Sequence, residues 1–280
     1  MNITISGASG FIGRQLLKSL GQAGHSVRAL SRHAPFAESL READVVVHLA
    51  GEPVAQRWTA EAKQRIRESR VVGTRQLVEA LATLPRRPKA LICASAIGYY
   101  GSRGDEILTE SSAPGSGFLP EVCVAWEREA QAAEAFGIRV VRVRTGVVLD
   151  ARGGALVRML PPFRMGVGGR LGNGRQWMSW IHLEDLAALF QLAVETQVRG
   201  PLNAVAPYPV TNSDFTRELA RVLGRPAVFP VPEFALRLLF GEMAEVLLAS
   251  QRVAPSAAEA AGFRFRLPQL GPALAGLLRS

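Results

Sequence analysis

The sequence predicts an α/β fold: a Rossmann-type doubly wound parallel sheet with a smaller C-terminal substrate lobe. Three observations predict it. Short apolar segments alternate with helix-patterned ones through the first half of the chain, as strands joined by crossover helices do. The segment "ADVVVHLAG" is nearly continuous in Val and Leu, the signature of a strand buried on both faces. Between the first strand and the first helix lies a glycine turn, "GASGFIG", the place where such folds meet a phosphate.

The elements follow in order. "NITIS" (2–6) is the first strand, and "RQLLKSLGQAGH" is a helix, apolar at 16, 17 and 20 and ending near Gly24. "SVRALSR" (26–32) and "ADVVVHLAG" (43–51) are the second and third strands. A long helix covers roughly 59–83, and "KALICASA" (89–96) is another buried strand. A helix over 120–136 and the strand "RVVRVRTGVVL" (139–149) complete the first lobe. The nucleotide-binding domain is placed at 1–150, with the chain recrossing around 178–207. The substrate lobe and a short C-terminal domain occupy 151–280.

Composition narrows the function. Hydrophobic residues make up 48% of the 280, enough for an ordinary globular core. The net charge is +9, yet the arginines are scattered, without a basic run or interleaved aromatics. That argues against nucleic acid as a partner and fits an anionic cofactor or substrate. Two cysteines, Cys93 and Cys123, make no disulfide framework. The first residues enter a strand directly, and the most apolar late stretch, "FALRLLFGEMAEVLLAS", is interrupted by Arg237, Glu242 and Glu245. The expectation is a cytoplasmic protein with no targeting segment and no membrane partner.

In "GASGFIG" the glycines Gly7, Gly10 and Gly13 recur every third residue. They let backbone N–H groups approach a pyrophosphate at a helix N-terminus, where a Cβ would obstruct it. The end of the second strand selects the cofactor. An acid there would accept from a free ribose hydroxyl. This chain has Ser31 and Arg32, and an arginine fork suits a 2′-phosphate. NADP (NADPH) is therefore expected over NAD.

Taken together, "GASGFIG", "DVVVHLAG", "VVGTRQLVEAL", "SAIGYYG" and "SWIHLEDLA" resemble the extended short-chain dehydrogenase/reductase superfamily. "HLAGEPV", "WEREA", "RTGVVLDARGGAL", "GVGGRLGNGRQWMSWIH" and "GFRFRLPQLGPAL" resemble its atypical epimerase-family branch, which ends in a short C-terminal domain of unknown function. The resemblance spans essentially the whole chain. It implies that Gly7, Ser9, Gly10, Phe11, Ile12 and Gly13 hold the pyrophosphate, and that Ser31 and Arg32 hold the adenosine phosphate. It further implies that Leu49, Ala50, Gly51 and Glu52 lie along the cofactor, with Arg70 beside them and Ala94 and Ser95 at the nicotinamide ribose.

Related dehydrogenases carry a tyrosine and a lysine four residues apart on one helix. This chain has no such pair: four residues beyond Tyr99, Tyr100 and Tyr208 stand Arg103, Gly104 and Asn212. The tyrosine position falls at about Cys123 and the lysine position at about Glu127, with Trp126 between them. Aligned on Tyr100-Gly101, the usual serine position holds Ala96, with Ser95 one place earlier. Ser95, Tyr99, Tyr100 and Cys123 are the candidate catalytic residues, and His182 in "SWIHLED" is a further acid/base candidate. A neutral thiol is a poor proton donor to an alkoxide. Three functions stay open: an oxidoreductase or epimerase with a different acid/base, a non-catalytic NADP-binding sensor or scaffold, and a relative that has lost tight cofactor binding.

The glycine-rich segment 151–182 sits where sugar-nucleotide enzymes of the superfamily build the substrate pocket. Arg164, Arg170 and Arg175 are candidates for an anionic group, and Gln176, Trp177 and His182 for the pocket wall. Asp185 is expected as an early-turn acid. Asn212 or Ser213 is expected to cap the helix over 210–224, and Gly224 to end it. The expected partner is a small, anionic or sugar-like molecule bound to a monomer or homodimer, with no metal.

Overall fold

A computed structural model describes residues 1–30 and 36–278, and for residues 36 and 37 the backbone alone. Ser31 and Arg32 lie outside the described residues. The first lobe runs β1 (Asn2–Ser6), α1 (Phe11–Gln22), β2 (Ser26–Ala29), α2 (Phe36–Leu40), β3 (Val45–His48), α3 (Ala60–Ala82), β4 (Ala90–Ala96), β5 (Ile107–Leu108), α4 (Phe118–Gln131) and β6 (Arg139–Thr145). It continues through β7 (Val147–Asp150), α5 (Gly154–Arg164), β8 (Trp177–Met178), β9 (Trp180–His182), α6 (Leu183–Glu195) and β10 (Gly200–Ala204). The chain ends with β11 (Val210–Thr211), α7 (Asn212–Leu223), α8 (Glu233–Phe240), α9 (Ala244–Leu248), β12 (Arg252–Val253), α10 (Ser256–Ala260) and α11 (Leu270–Leu278).

Six strands form one sheet in the order β10-β6-β4-β3-β1-β2, every neighbouring pair parallel. The chain steps from β1 to β2 on one side and to β3 on the other, so the strand order reverses between β1 and β3. Loops part there, and a crevice opens at the C-terminal strand ends. Strand alternation sorts the two faces. Val45, Val47 and Ile92 join Leu16, Leu20, Leu186 and Phe190 of α1 and α6 in one core. Val46, Leu91 and Cys93 join Leu77, Leu81 and Trp126 of α3 and α4 in another. This is the doubly wound arrangement that the alternating pattern predicts.

A third core holds Leu156, Phe163, Trp180, Phe215, Leu219 and Leu274, and so packs α5, α7 and α11 together. The sheet itself takes its last strand, β10, from residues 200–204, after the chain has passed through α5.

Several boundaries differ from the sequence expectation. The strand expected over 139–149 breaks at Gly146, where a Cβ would lie 2.5 Å from Ser179 O and 2.8 Å from Val205 Cγ1. Beyond it β7 leaves the sheet to pair with β9. The helix expected over 120–136 starts at Phe118 and becomes a 3-10 turn at Ala132–Phe136. The cap of α7 is Thr211, whose side chain accepts from Asp214 N; Asn212 and Ser213 are already helical. Gly224 ends that helix in the left-handed conformation, as expected. Residues 151–182, expected as a glycine-rich excursion, contain α5 and two short strands. Among the described residues no helix is long and apolar enough to cross a membrane.

Candidate functional site

The site begins at the glycine turn. Gly7 takes φ +73°, and a Cβ there would sit 2.8 Å from Ala50 N. A Cβ on Gly13 would sit 2.3 Å from Gly7 O and 2.7 Å from Ala8 Cα. Both glycines therefore let backbone pack on backbone: Gly7 against the end of β3, and Gly13 between α1 and β1. Gly10 caps α1 without a side-chain hydrogen bond, and no acid stands in the first turn. Ser9 and Gly10 are exposed. The first N–H groups of α1 are thus left for an external acceptor, and the helix dipole favours an anion there.

Phe11 and Ile12 serve this turn through their backbone, because both side chains pack against the core on the α1 face. The Phe11 ring fills the space at Gly153 and Gly154, where a Cβ would come within 2.5 and 3.0 Å of it. Sequence reasoning missed Arg14, which donates from Nη1 to Ser9 O at 2.6 Å. It brings a positive charge to the turn. Its place directly after the third glycine was the available signal.

Across the crevice stand the residues after β3. Leu49 packs on the core and donates from N to Ser6 O at 3.1 Å. Ala50 is half-buried and Gly51 exposed. Glu52 N donates to Ser69 Oγ at 2.9 Å, and Glu52 O accepts from Arg70 Nη1 at 2.9 Å. The Arg70 guanidinium carbon lies 3.2 Å from where a Gly51 Cβ would be and 5.2 Å from the Trp126 ring. Burial lowers the pKa of Arg70, with the charge of Glu52 acting in the opposite sense. An arginine remains charged under such a pull. The crevice therefore holds a fixed cation between α3 and α4.

At the end of β4 the expected proton-transfer positions form a closed network. Ala94 is half-buried and Ser95 buried. Ser95 Oγ donates to Glu127 Oε1 at 2.7 Å. Glu127, at the lysine position on α4, receives a two-pronged contact from Arg144 of β6: Nε to Oε1 at 2.8 Å and Nη2 to Oε2 at 2.9 Å. Both side chains are at most 4% exposed. Burial pulls the Arg144 pKa down, but the hydrogen bonds and charge of Glu127 outweigh it and raise the value.

Arg144 also touches both tyrosines of the 3-10 turn at Ile97–Tyr100. Its guanidinium carbon is 3.5 Å from the Tyr99 ring centre, and its Nη1 donates to Tyr100 Oη at 2.9 Å. Tyr100 is fully buried and donates in turn to Asn203 Oδ1 at 2.7 Å. Burial raises its pKa above the ordinary tyrosine value. Tyr99 is half-buried, and among the described residues its hydroxyl makes no hydrogen bond. Cys123 is buried, and burial pushes its thiol up to about 12.

The candidates of the second half are dispersed. Arg164, Arg170 and Arg175 are exposed. Gln176 is buried, its amide donating to Leu171 O at 3.1 Å and Leu247 O at 3.3 Å. Trp177 is half-buried, with Nε1 donating to Asp105 Oδ1 at 2.7 Å and Arg252 lying 4.4 Å from its ring centre. His182 is the N-cap of α6, its Nδ1 accepting from Glu184 N at 3.2 Å. Burial lowers its pKa. Asp185, expected as an acid at the helix start, is buried and accepts from Arg266 N and Leu267 N at 2.9 and 3.0 Å. It anchors the "FRFR" tail to α6. Among the described residues no group of three or more His, Cys, Asp or Glu side chains is gathered as for a metal ion.

The parallel sheet, the reversal of strand order and the open glycine turn define an NAD(P)-binding protein of the Rossmann class. More narrowly, the chain belongs to the NAD dependent epimerase/dehydratase family, whose model matches residues 3–205. A second model, described as a domain of unknown function (DUF1731), matches residues 231–277. The chain is 42% identical to epimerase family protein Mb2239 of Mycobacterium bovis, covering 97% of this chain and 96% of that one. It is 40% identical to epimerase family protein YfhF of Bacillus subtilis, covering 99% and 98%. Among solved structures it is similar to the human epimerase family protein SDR39U1 with NADPH, at 33% identity, with full coverage of both chains and a TM-score of 0.90. A nucleoside-diphosphate sugar epimerase from Corynebacterium glutamicum is 40% identical with a TM-score of 0.82, covering 99% of this chain and 58% of that one.

Proposed function

We propose that this chain binds NADP(H) in the crevice between the ends of β1 and β3, and acts there as an oxidoreductase or epimerase without a Tyr-x-x-x-Lys dyad. The single observation that carries the reading is the glycine turn. Gly7 and Gly13 have no room for a Cβ, and the N-terminus of α1 is uncapped by any side chain. A turn packed that tightly and left open to solvent fits a pyrophosphate. Arg14 and Arg70 add positive charge on either side of it. The NADPH bound to the human relative supports NADP, as does the residue type of Arg32. The sugar epimerase relative supports a small, sugar-like or anionic substrate. Tyr99 is the candidate proton-transfer group we favour, since Tyr100 and Cys123 are buried while Tyr99 is half-buried and its hydroxyl makes no hydrogen bond among the described residues.

A second reading, a non-catalytic NADP sensor, draws on one observation. Ser95, Glu127 and Arg144 satisfy one another internally, which leaves the usual proton-transfer positions without a free donor. Calorimetric titration with NADPH and NADH, repeated on Arg32→Ala, tests the cofactor. NADPH preference that is lost in the variant supports the site, and binding of neither nucleotide removes both readings. Turnover of sugar nucleotides or small carbonyl compounds that Tyr99→Phe abolishes at unchanged NADPH affinity supports the enzyme. Tight binding with no turnover across that panel supports the sensor.

A further inference from the structure

The C-terminal part of the chain leaves a large apolar surface uncovered. On α8, Leu236 faces inward, while Phe234, Leu238 and Leu239 are 74%, 76% and 63% exposed. Phe234 and Leu238 stand four residues apart and therefore project side by side. The preceding stretch exposes Val228 and Phe229, and the adjoining one Met165 and Val167. These two stretches run side by side: Val231 N donates to Arg170 O and Gly172 N to Val231 O, both at 2.8 Å. Isolated exposed apolar residues are ordinary, but several on neighbouring stretches, with Phe234 and Leu238 side by side on one helix, mark a candidate contact site.

The charge beside this surface is mainly positive, with Glu233 at the start of α8 the acid nearest to Phe234. In the adjoining stretch Arg164, Arg170 and Arg175 are exposed and make no ion pair among the described residues. A groove of about 710 Å³ opens next to the apolar residues, lined by Arg170, Arg217, Arg221, Arg225, Thr216 and Val228. Arg217 pairs with Asp214 and Arg221 with Glu218 on their own helix. Arg170 and Arg225 make no ion pair among the described residues. The groove is thus cationic, and an apolar shelf begins at its edge.

We propose that this face docks on an anionic lipid surface, with Phe229, Phe234, Leu238 and Leu239 among the acyl chains and Arg170 and Arg225 on headgroup phosphates. Phosphate beside hydrocarbon is what such a membrane offers, and basic residues flanking apolar ones are how a peripheral segment meets it. A second copy of this chain fits poorly, because a two-fold contact would set the same arginines against each other. The contact is peripheral and needs no spanning helix. The expectation of no membrane partner rested on the absence of a span alone. The net charge of +9 adds a long-range attraction of the same sign.

Co-sedimentation with phosphatidylglycerol–phosphatidylcholine vesicles, against vesicles of phosphatidylcholine alone, tests this on the full chain. The expected result is binding to the anionic vesicles only, weakened by salt. Arg170→Gln with Arg225→Gln should weaken it about fivefold for each charge removed. Phe234→Ser with Leu238→Ser should weaken it about tenfold or more, at an unchanged thermal midpoint because both residues are exposed. Absence of sedimentation overturns the proposal, as does equal binding to neutral vesicles. Variants that bind like the unaltered chain overturn it too. So does a concentration-dependent dimer that Phe234→Ser with Leu238→Ser dissolves, which would give the surface to a second copy.

Discussion

Arg144 and Glu127 meet as a fork on a carboxylate, Nε to Oε1 at 2.8 Å and Nη2 to Oε2 at 2.9 Å, with both side chains buried. The sequence places Glu127 where related dehydrogenases carry a cationic lysine. Here the helix supplies the anion, and the neighbouring strand β6 supplies the cation. Arg142 Nη1 adds a longer contact to Glu127 Oε2 at 3.5 Å, and the pair also holds Ser95, Tyr99 and Tyr100 through one guanidinium and one carboxylate.

Removing Arg144 leaves Glu127 charged and buried with only the longer contact of Arg142 Nη1, at 3.5 Å, and removing Glu127 leaves Arg144 buried without a carboxylate. Arg144→Met should cost about 3–5 kcal/mol. Arg144→Met combined with Glu127→Leu should cost less than the two single changes added together, since neither member of the fork is left without the other and only the more distant Arg142 loses its contact. Urea denaturation of the singles and the double measures it. Strictly additive losses would contradict the pair's mutual dependence.

Tyr100 and Tyr99 should separate in stability. Tyr100→Phe removes the donor to Asn203 Oδ1 and an acceptor of Arg144 Nη1, and should cost about 1 kcal/mol or somewhat more. Tyr99→Phe deletes a hydroxyl with no protein partner among the described residues, and should change stability by less than about 0.5 kcal/mol. Guanidinium unfolding curves decide it, and equal losses would go against the geometry.

Two glycines of α1 should respond in opposite directions. A Cβ on Gly13 meets backbone at 2.3 Å, whereas around Gly21 nothing lies within 4 Å. Gly13→Ala should open the turn and lower NADPH affinity at least about tenfold, together with the thermal midpoint. Gly21→Ala should stabilise the helix by about 0.5–1 kcal/mol at unchanged affinity. NADPH titration and thermal melts of both variants are the check, and a Gly13→Ala variant that binds normally would dissociate the turn from the nucleotide.

His48 should make the fold sensitive to mild acid. It is buried between Ser6 Oγ and Thr74 Oγ1, and burial lowers its pKa from 6.5 to about 4. Between those values the unfolded chain binds a proton that the folded one refuses. Stability is therefore complete above pH 6.5 and declines as pH falls toward 4, by up to roughly 3 kcal/mol. Unfolding of His48→Gln, compared with the unaltered chain at pH 7 and pH 5, isolates this part. The variant should lose less on acidification, and an identical loss would refute the assignment.

The glycine turn was legible because its meaning is local. Gly7, Gly10 and Gly13 are fixed by the chain's own path from β1 into α1, and the flanking strand and helix patterns showed where that path runs. The alternation of Val45, Val46 and Val47 between two cores followed from strand periodicity alone. The break at Gly146 was hidden, because the residues that forbid a Cβ there, Ser179 and Val205, lie far along the sequence. The roles of Gln176 and Trp177 were hidden for the same reason. Their partners, Leu247, Asp105 and Arg252, come from distant segments.

By itself the sequence determined the doubly wound sheet, the glycine turn between β1 and α1 and the absence of a Tyr-x-x-x-Lys pair, since each depends on residues adjacent in the chain or repeating with a helical or strand period. Only the tertiary structure decided what replaced that pair. Glu127 and Arg144 are brought together by the packing of α4 against β4 and β6, and no spacing rule joins a helix residue to a strand residue seventeen positions on. Burial did the rest: by excluding water it tied Glu127 to Arg144, kept the Cys123 thiol protonated, and left Tyr99 as the half-exposed tyrosine of the turn.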